Sequence, residues 1–218
     1  MPKVISVVQL KGGAGKSTIA VNLAAILSQK LKVGLLDADM VQGSAQSWFA
    51  LRDSSTPSQW LKFSMARTDT DLDVAFDELK DCDVVVVDCP PRMEVLTRKV
   101  LLETDLALMP LGALSMEVWA AADTVETLKQ AMEVNPGLEC RILWNKFRGT
   151  ADEQFLMAEG KKAFGLKTMK AMLGYRAAFS DAAGRGLAVT EWRNQKASTE
   201  MGAVATEVTN ILKLKKGK

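Results

Sequence analysis

The chain of 218 residues contains no histidine. That absence removes Ser-His-Asp and Cys-His nucleophilic catalysis and every histidine-based metal site. Cysteine is scarce: Cys82, Cys89 and Cys140 are the only three, an odd number without metal-site spacing, which suits a reducing cytoplasm and argues against a disulfide framework. No apolar run approaches the roughly 18–20 residues that a membrane span needs. The N-terminal MPKVISVVQL enters a strand-like run at once and shows no small-residue cleavage site, so no signal peptide is expected. A domain linker is missing as well. The one Ser/Thr/Pro-rich stretch, residues 53–58, has the length of a loop, and a single domain over residues 1–218 is expected.

What is present is enough for a sizeable core, with 48 % apolar and 25 % charged residues. The net charge of +2 hides an asymmetry. Residues 1–140 hold 13 Lys+Arg against 19 Asp+Glu, and residues 141–218 hold 15 against 7. A basic C-terminal third can supply one positive face, a footprint for a phosphate backbone, although a solvated surface with a lysine tail has the same composition. Strand-length apolar runs at 4–10, 33–37, 62–65, 84–88, 106–110, 141–145 and 167–172 alternate with segments of helical period at 16–29, 44–51, 72–79, 93–102, 116–132, 152–164 and 199–213. This predicts an α/β fold, a mostly parallel central sheet flanked by helices on both faces. The four valines 84–87 read as a central strand buried on both sides.

Between the first strand and the first helix lies Lys11-Gly12-Gly13-Ala14-Gly15-Lys16-Ser17-Thr18. Glycines let the backbone curl until successive N–H groups face a phosphate, and the following helix N-terminus adds its dipole. Lys16 then meets the β- and γ-phosphates, the Ser17 hydroxyl ligates Mg²⁺, and Thr18 is placed for the α-phosphate. The run Val84-Val85-Val86-Val87-Asp88 has the Walker-B pattern, an apolar strand that delivers one carboxylate to the metal. Asn145, after a later strand, is a candidate for the base or for a turn. The run Asn145-Lys146-Phe147-Arg148 lacks the aspartate of the guanine-reading N-K-x-D motif, which favours ATP over GTP.

The loop departs from G-x-x-x-x-G-K-S, because Leu10 stands where a glycine is usual and Lys11 is added. In this it resembles the deviant Walker-A ATPases of the ParA/MinD family, whose signature is K-G-G-x-G-K-[ST]. The resemblance implies a P-loop NTPase fold and gives Lys11 the role of the signature lysine, which reaches the nucleotide of a partner subunit in an ATP-dependent homodimer. It gives Asp39 of Asp37-Ala38-Asp39 the positioning of the attacking water, and Asp37 support of the Mg²⁺ shell, while aspartates that cap the next helix would look the same. The family usually continues D-P-Q-G-S, whereas this chain reads Asp39-Met40-Val41-Gln42-Gly43-Ser44. Cys89-Pro90-Pro91 after Asp88 resembles the family's D-x-P-P, and the segments 105–110, 115–119 and 184–191 are similar to it too.

A small partition ATPase is the kind of relative implied, with no room before residue 11 for the helix-turn-helix domain of longer members. Cofactors would be ATP and Mg²⁺. Partners would be non-specific DNA, through Arg148 and Arg176 with Arg185, Arg193, Lys196, Lys213, Lys215 and Lys216 adding to the field, and a ParB-like adaptor or activator. Its place would be cytoplasmic and nucleoid-associated. The alternative is a MinD-like membrane-positioning ATPase. The C-terminal Ile211-Leu212-Lys213-Leu214 offers too short an apolar face, so no stable membrane anchoring is expected. An iron–sulfur ATPase like the nitrogenase iron protein is disfavoured by the contexts of Cys89 and Cys140.

Overall fold

The structure is a computed structural model and describes residues 1–39, 42–52, 60–91 and 95–215. Among these, seven parallel strands form one sheet: β1 (Lys3–Val7), β2 (Val33–Asp37), β3 (Leu61–Met65), β4 (Val84–Asp88), β5 (Leu106–Gly112), β6 (Glu139–Asn145) and β7 (Lys167–Thr168), in the order β3-β2-β4-β1-β5-β6-β7. The expected parallel α/β architecture is what the chain adopts. The four valines of β4 are fully buried, because β4 lies between β2 and β1 and is covered on both faces.

One face is covered by α1 (Lys16–Leu27), α2 (Ser44–Leu51), α8 (Ala178–Ala183) and α9 (Gln195–Ile211), which bury Leu23, Trp48, Phe179 and Met201 against Val7, Leu35 and Val86. The other face is covered by α3 (Asp69–Glu78), α4 (Val95–Glu103), α5 (Ser115–Trp119), α6 (Ala122–Val134) and α7 (Ala151–Phe164), which bury Leu72, Val100, Val118, Leu128 and Phe164 against Val85, Met109 and Ile142. Successive side chains of a strand point to opposite faces, so β4 feeds both cores. No described helix is long and apolar enough to cross a membrane.

Several boundaries differ from the sequence reading. The helix expected over 116–132 is two helices, α5 and α6, although no glycine or proline separates them. The start of α6 is instead held from outside the helix, by the Thr124 hydroxyl bonded to Gln9 on the strand side at 2.7 Å. Helix α9 begins at Gln195 rather than 199 because Asn194 caps it, its side chain accepting the Ala197 N–H at 3.0 Å. Helix α8 and the 3₁₀ turn Val189–Glu191 have no counterpart in the sequence reading. Strand β7 is two residues long at the sheet edge rather than six. The expected start of α4 at 93 and the loop 53–58 lie outside the described residues.

The segment after α8 is tied to the end of α2. Trp48 Nε1 donates to the Leu187 carbonyl at 3.1 Å, and Arg52 pairs with Glu191 at 2.7 Å while donating to the Gly186 carbonyl. Gly186 has φ +68°, and a Cβ there would stand 2.5 Å from the backbone of Leu51 and Arg52. Gly186→Ala is therefore expected to cost about 2–4 kcal/mol in unfolding free energy. Gly202→Ala, inside α9 with nothing near its added methyl, should gain about 0.5–1 kcal/mol. Chemical denaturation of the two variants checks both signs.

Candidate functional site

Register sets the site. Asp88 at the end of β4 lies level with Val7 of β1 and Asp37 of β2, so the chain leaves β1 into its glycine-rich loop beside two strand-end carboxylates. This is the carboxyl edge of a parallel sheet, where α/β proteins hold ligands. Gly13 and Gly15 have φ of +76° and +93°, the left-handed values that only glycine takes freely. Gly15 is also the N-cap of α1 and offers no side-chain bond, which leaves the first helix amides for an anion.

The loop's carbonyls are held from behind. Asn145 Nδ2 donates to the Ala14 carbonyl at 2.8 Å, and Lys146 Nζ donates to the Gly13 carbonyl at 2.6 Å. A Cβ at Gly15 would meet Asn145 Nδ2 at 2.5 Å, so glycine is required there twice over. Asn145 lines the cleft as expected, yet both ends of its amide are engaged, the oxygen by the Lys146 N–H at 2.9 Å. Lys146 itself sits at φ +57°, an unusual conformation for a side-chain-bearing residue. The sequence reading gave Lys146 no part. Its only signal was its place directly after Asn145 at a strand end.

Lys16 is buried and, among the described residues, has no ion-pair partner within 4.0 Å. Desolvation lowers its pKa, opposed by the fields of Asp88 and Asp39. Asp88 is wholly buried, and neither of its oxygens has a hydrogen bond of ordinary geometry. Desolvation pushes its carboxyl up to about 7, with the nearby Ser17 hydroxyl and Lys16 ammonium pulling the other way. Asp39 is buried too, with Oδ1 unpartnered.

Asp37 is different. Its Oδ1 accepts the Asp39 N–H at 3.0 Å and its Oδ2 the Gln46 N–H at 2.9 Å, so it caps α2 and fixes the turn that carries Asp39. Each oxygen of Asp37 thus accepts one backbone amide, and each keeps a second lone pair toward the metal-shell part expected of it. Met40 and Val41, where the chain departs from D-P-Q-G-S, lie outside the described residues.

The cleft above these groups has a volume of about 540 Å³ and is bounded by Gly12, Gly13, Gly15, Lys16, Ser17 and Thr18 with Asp39, Asn145, Lys146, Tyr175 and Arg176. Its donors fit a triphosphate with a hard cation. The glycine nest and Lys16 face anionic oxygen, and Ser17 with the orphaned Asp88 carboxylate supplies oxygen ligands of the kind Mg²⁺ takes. Among the described residues no three Asp, Glu or Cys side chains converge on a metal position.

Lys11 stands on the rim, 43 % exposed at its side chain, with its ammonium 3.8 Å from Glu117 Oε1. The basic residues proposed for DNA do not share one environment. Arg148 is exposed and lies over the Tyr175 ring at 5.0 Å. Arg176 is held by Glu200, which takes its Nε at 2.8 Å, and it forms part of the cleft wall. Arg185 lies over the Trp192 ring at 4.6 Å, and Arg193, Lys196, Lys213 and Lys215 are exposed. Lys216 is outside the described residues. Cys89 and Cys140 are buried, with thiols pushed well above their usual range by desolvation, and are inert packing residues.

Fold, nest and strand-end carboxylate together define a P-loop nucleotide-binding protein. Within that class the chain belongs to the CobQ/CobB/MinD/ParA nucleotide binding domain family, which matches residues 5–189, and it is a ParA/MinD-like ATPase. It is similar to the maintenance of carboxysome distribution protein A of Halothiobacillus neapolitanus, 28 % identical over 94 % of this chain and 95 % of that one. The protein of the same description from Gloeobacter kilaueensis is 31 % identical over 90 % of this chain and 88 % of its own. Among solved structures, the fold matches MinD of Pyrococcus horikoshii complexed with Mg-ADP at a TM-score of 0.77 and 17 % identity, covering 97 % and 98 % of the two chains. It also matches an aspartate-to-alanine variant of Cyanothece McdA in complex with ATP at 0.73 and 18 %, covering 100 % and 98 %.

The buried Asp88 gives a pH signature. With a folded pKa of about 7 against 3.8, the folded state holds the proton longer than the unfolded one. Stability is then lost as pH rises from about 4 to 7 and levels off above. Asp88→Asn removes that loss. The variant is expected to be more stable than the parent at pH 8 by on the order of 2 kcal/mol, with the gap closing near pH 4. Nucleotide-free thermal melts across that range measure it.

Proposed function

We propose that this ATPase forms an ATP-dependent sandwich homodimer, binds DNA without sequence preference, and positions an intracellular cargo through an adaptor. The observation that carries the reading is Lys11. It stands at the loop's head, is 43 % exposed at its side chain, and has its ammonium 3.8 Å from Glu117. Two triphosphates brought together between subunits concentrate negative charge, and an ammonium from each side offsets it.

In the mechanism that follows, the amides of residues 12–18 and the Lys16 ammonium bind the phosphates. They fix them in line, which is most of what phosphoryl transfer requires of a protein. Lys16, freed of ion pairs and dehydrated in advance, gives its full charge to the β- and γ-oxygens. Ser17 and Asp88 would hold Mg²⁺, whose chemistry when bound is to neutralise charge on the phosphate oxygens. Asp39, held by the capped turn at Asp37, orients the attacking water. Asn145 and Lys146 keep the loop in its curled form throughout. Weak turnover awaiting a ParB-like partner fits this site, because its parts align and bind but contain no strong general base.

The basic residues after 140, Arg148, Arg185, Arg193 and Lys196 foremost, support a salt-sensitive phosphate-backbone contact in the dimer. Arg176 serves that surface only if it leaves Glu200. Cargo positioning is supported by the carboxysome-distribution relatives. The membrane-positioning alternative finds less support, because Leu212 and Leu214 pack against the protein's own core.

Co-sedimentation with DNA is expected with ATP and to be largely lost with ADP or in Lys16→Ala. Equal pelleting in all three contradicts the ATP switch. Asp39→Ala is expected to keep nucleotide uptake while hydrolysis falls about 100-fold or more, read by phosphate release.

A further inference from the structure

Glu117 belongs to α5, the short helix that follows β5, and its placement is unusual. Its carboxylate lies directly over Gly112 at the strand end. A Cβ at 112 would stand 2.0 Å from Glu117 Oε2 and 2.9 Å from its carboxyl carbon, so the side chain occupies space that only glycine leaves free. Gly112 is in register with Asn145, the residue that braces the phosphate loop, and the carboxylate therefore sits on the same strand-end row as the nest.

From there Oε1 reaches the Lys11 ammonium at 3.8 Å, and among the described residues Glu117 is the only ion-pair partner Lys11 has. The two ends of the pair differ in freedom. Glu117 is 20 % exposed and Lys11 is 43 % exposed at the side chain, so the carboxylate is the fixed member and the ammonium the one able to swing. The backbone of Lys11 is itself anchored, its N–H directed at Gln9 Oε1, which the Thr124 hydroxyl also holds. Only the lysine side chain has to move.

We propose that Glu117 is a cis latch on Lys11. It holds the ammonium at home in the single subunit and competes with the contact Lys11 makes to the second subunit's nucleotide. The inference rests on the dimer reading above. Glu117 touches no substrate and acts only through Lys11, so it sets the threshold for dimer formation without taking part in phosphoryl transfer. A ligand shifts such an equilibrium only by its differential hold on the two states. Triphosphate charge across the interface outbids one carboxylate, whereas an empty or weakly charged site does not. Because the pair is long and partly exposed, the latch is modest, a matter of a few-fold.

The test is sedimentation velocity over a protein concentration series with saturating AMPPNP and Mg²⁺, using the full chain. Glu117→Gln is expected to dimerise at about three- to five-fold lower concentration than the parent. Gly112→Ala, which displaces the carboxylate without removing it, should shift in the same direction. Nucleotide-free melting of Glu117→Gln should match the parent's, a result that a purely structural role of Glu117 does not produce. A parent that dimerises while Glu117→Gln is unchanged or weaker overturns the latch and leaves the dimer reading intact. A parent that stays monomeric overturns both.

Discussion

A carboxylate taken wholly out of water, with no ion-pair partner within 4.0 Å among the described residues, is the constraint around which this protein is arranged. Asp88 reaches that position because four valines bury β4 on both faces and end together with β1 and β2. The fold tolerates an orphaned acid by keeping its pKa near 7, and it places beside it a lysine that is equally buried and equally unpaired. Neither group is at its best in the empty protein. Both are preorganised for a cation and a polyphosphate, and the cost of dehydrating them has been met by folding rather than by binding.

The remaining contacts keep that arrangement rigid. Asn145 and Lys146 hold the loop carbonyls from the end of β6, and Gln9 with Thr124 fixes its entry. Asn22, one turn into α1, takes the Val189 N–H at 2.6 Å, and Arg52 with Glu191 locks α2 to the same segment. The late loop around Gly186 thus joins the helix that follows the phosphate loop to the helix that follows Asp39. Two parts of the site that are far apart in sequence are kept in register by a segment that touches neither phosphate nor metal.

The phosphate loop, the Walker-B strand and the alternation of strands with helices were all legible in the residues, because each depends on local pattern: glycine spacing, an unbroken valine run, helical period. What was not legible depends on contacts between distant segments. Nothing near Asp37 in the sequence shows that it caps α2, which depends on the amides of Asp39 and Gln46 that reach it. Lys146 and Glu117 carried no motif. The first is defined by a carbonyl 133 residues away, the second by a glycine five positions before it in the chain and a lysine across the rim. The division of 116–132 into two helices falls at Ala120 and Ala121, residues that helical periodicity does not mark as a break.

Calorimetric titration of Mg-ATP into the hydrolysis-blocked Asp39→Ala protein at pH 7, repeated in buffers of different ionisation enthalpy, asks most directly whether Asp88 waits protonated in part for a cation. A group with a pKa of about 7 is half protonated there, so binding of Mg-ATP should release about half a proton per site, and adding Asp88→Asn should abolish the release. Heats that are the same in every buffer, or a proton count unchanged by Asp88→Asn, would contradict the account.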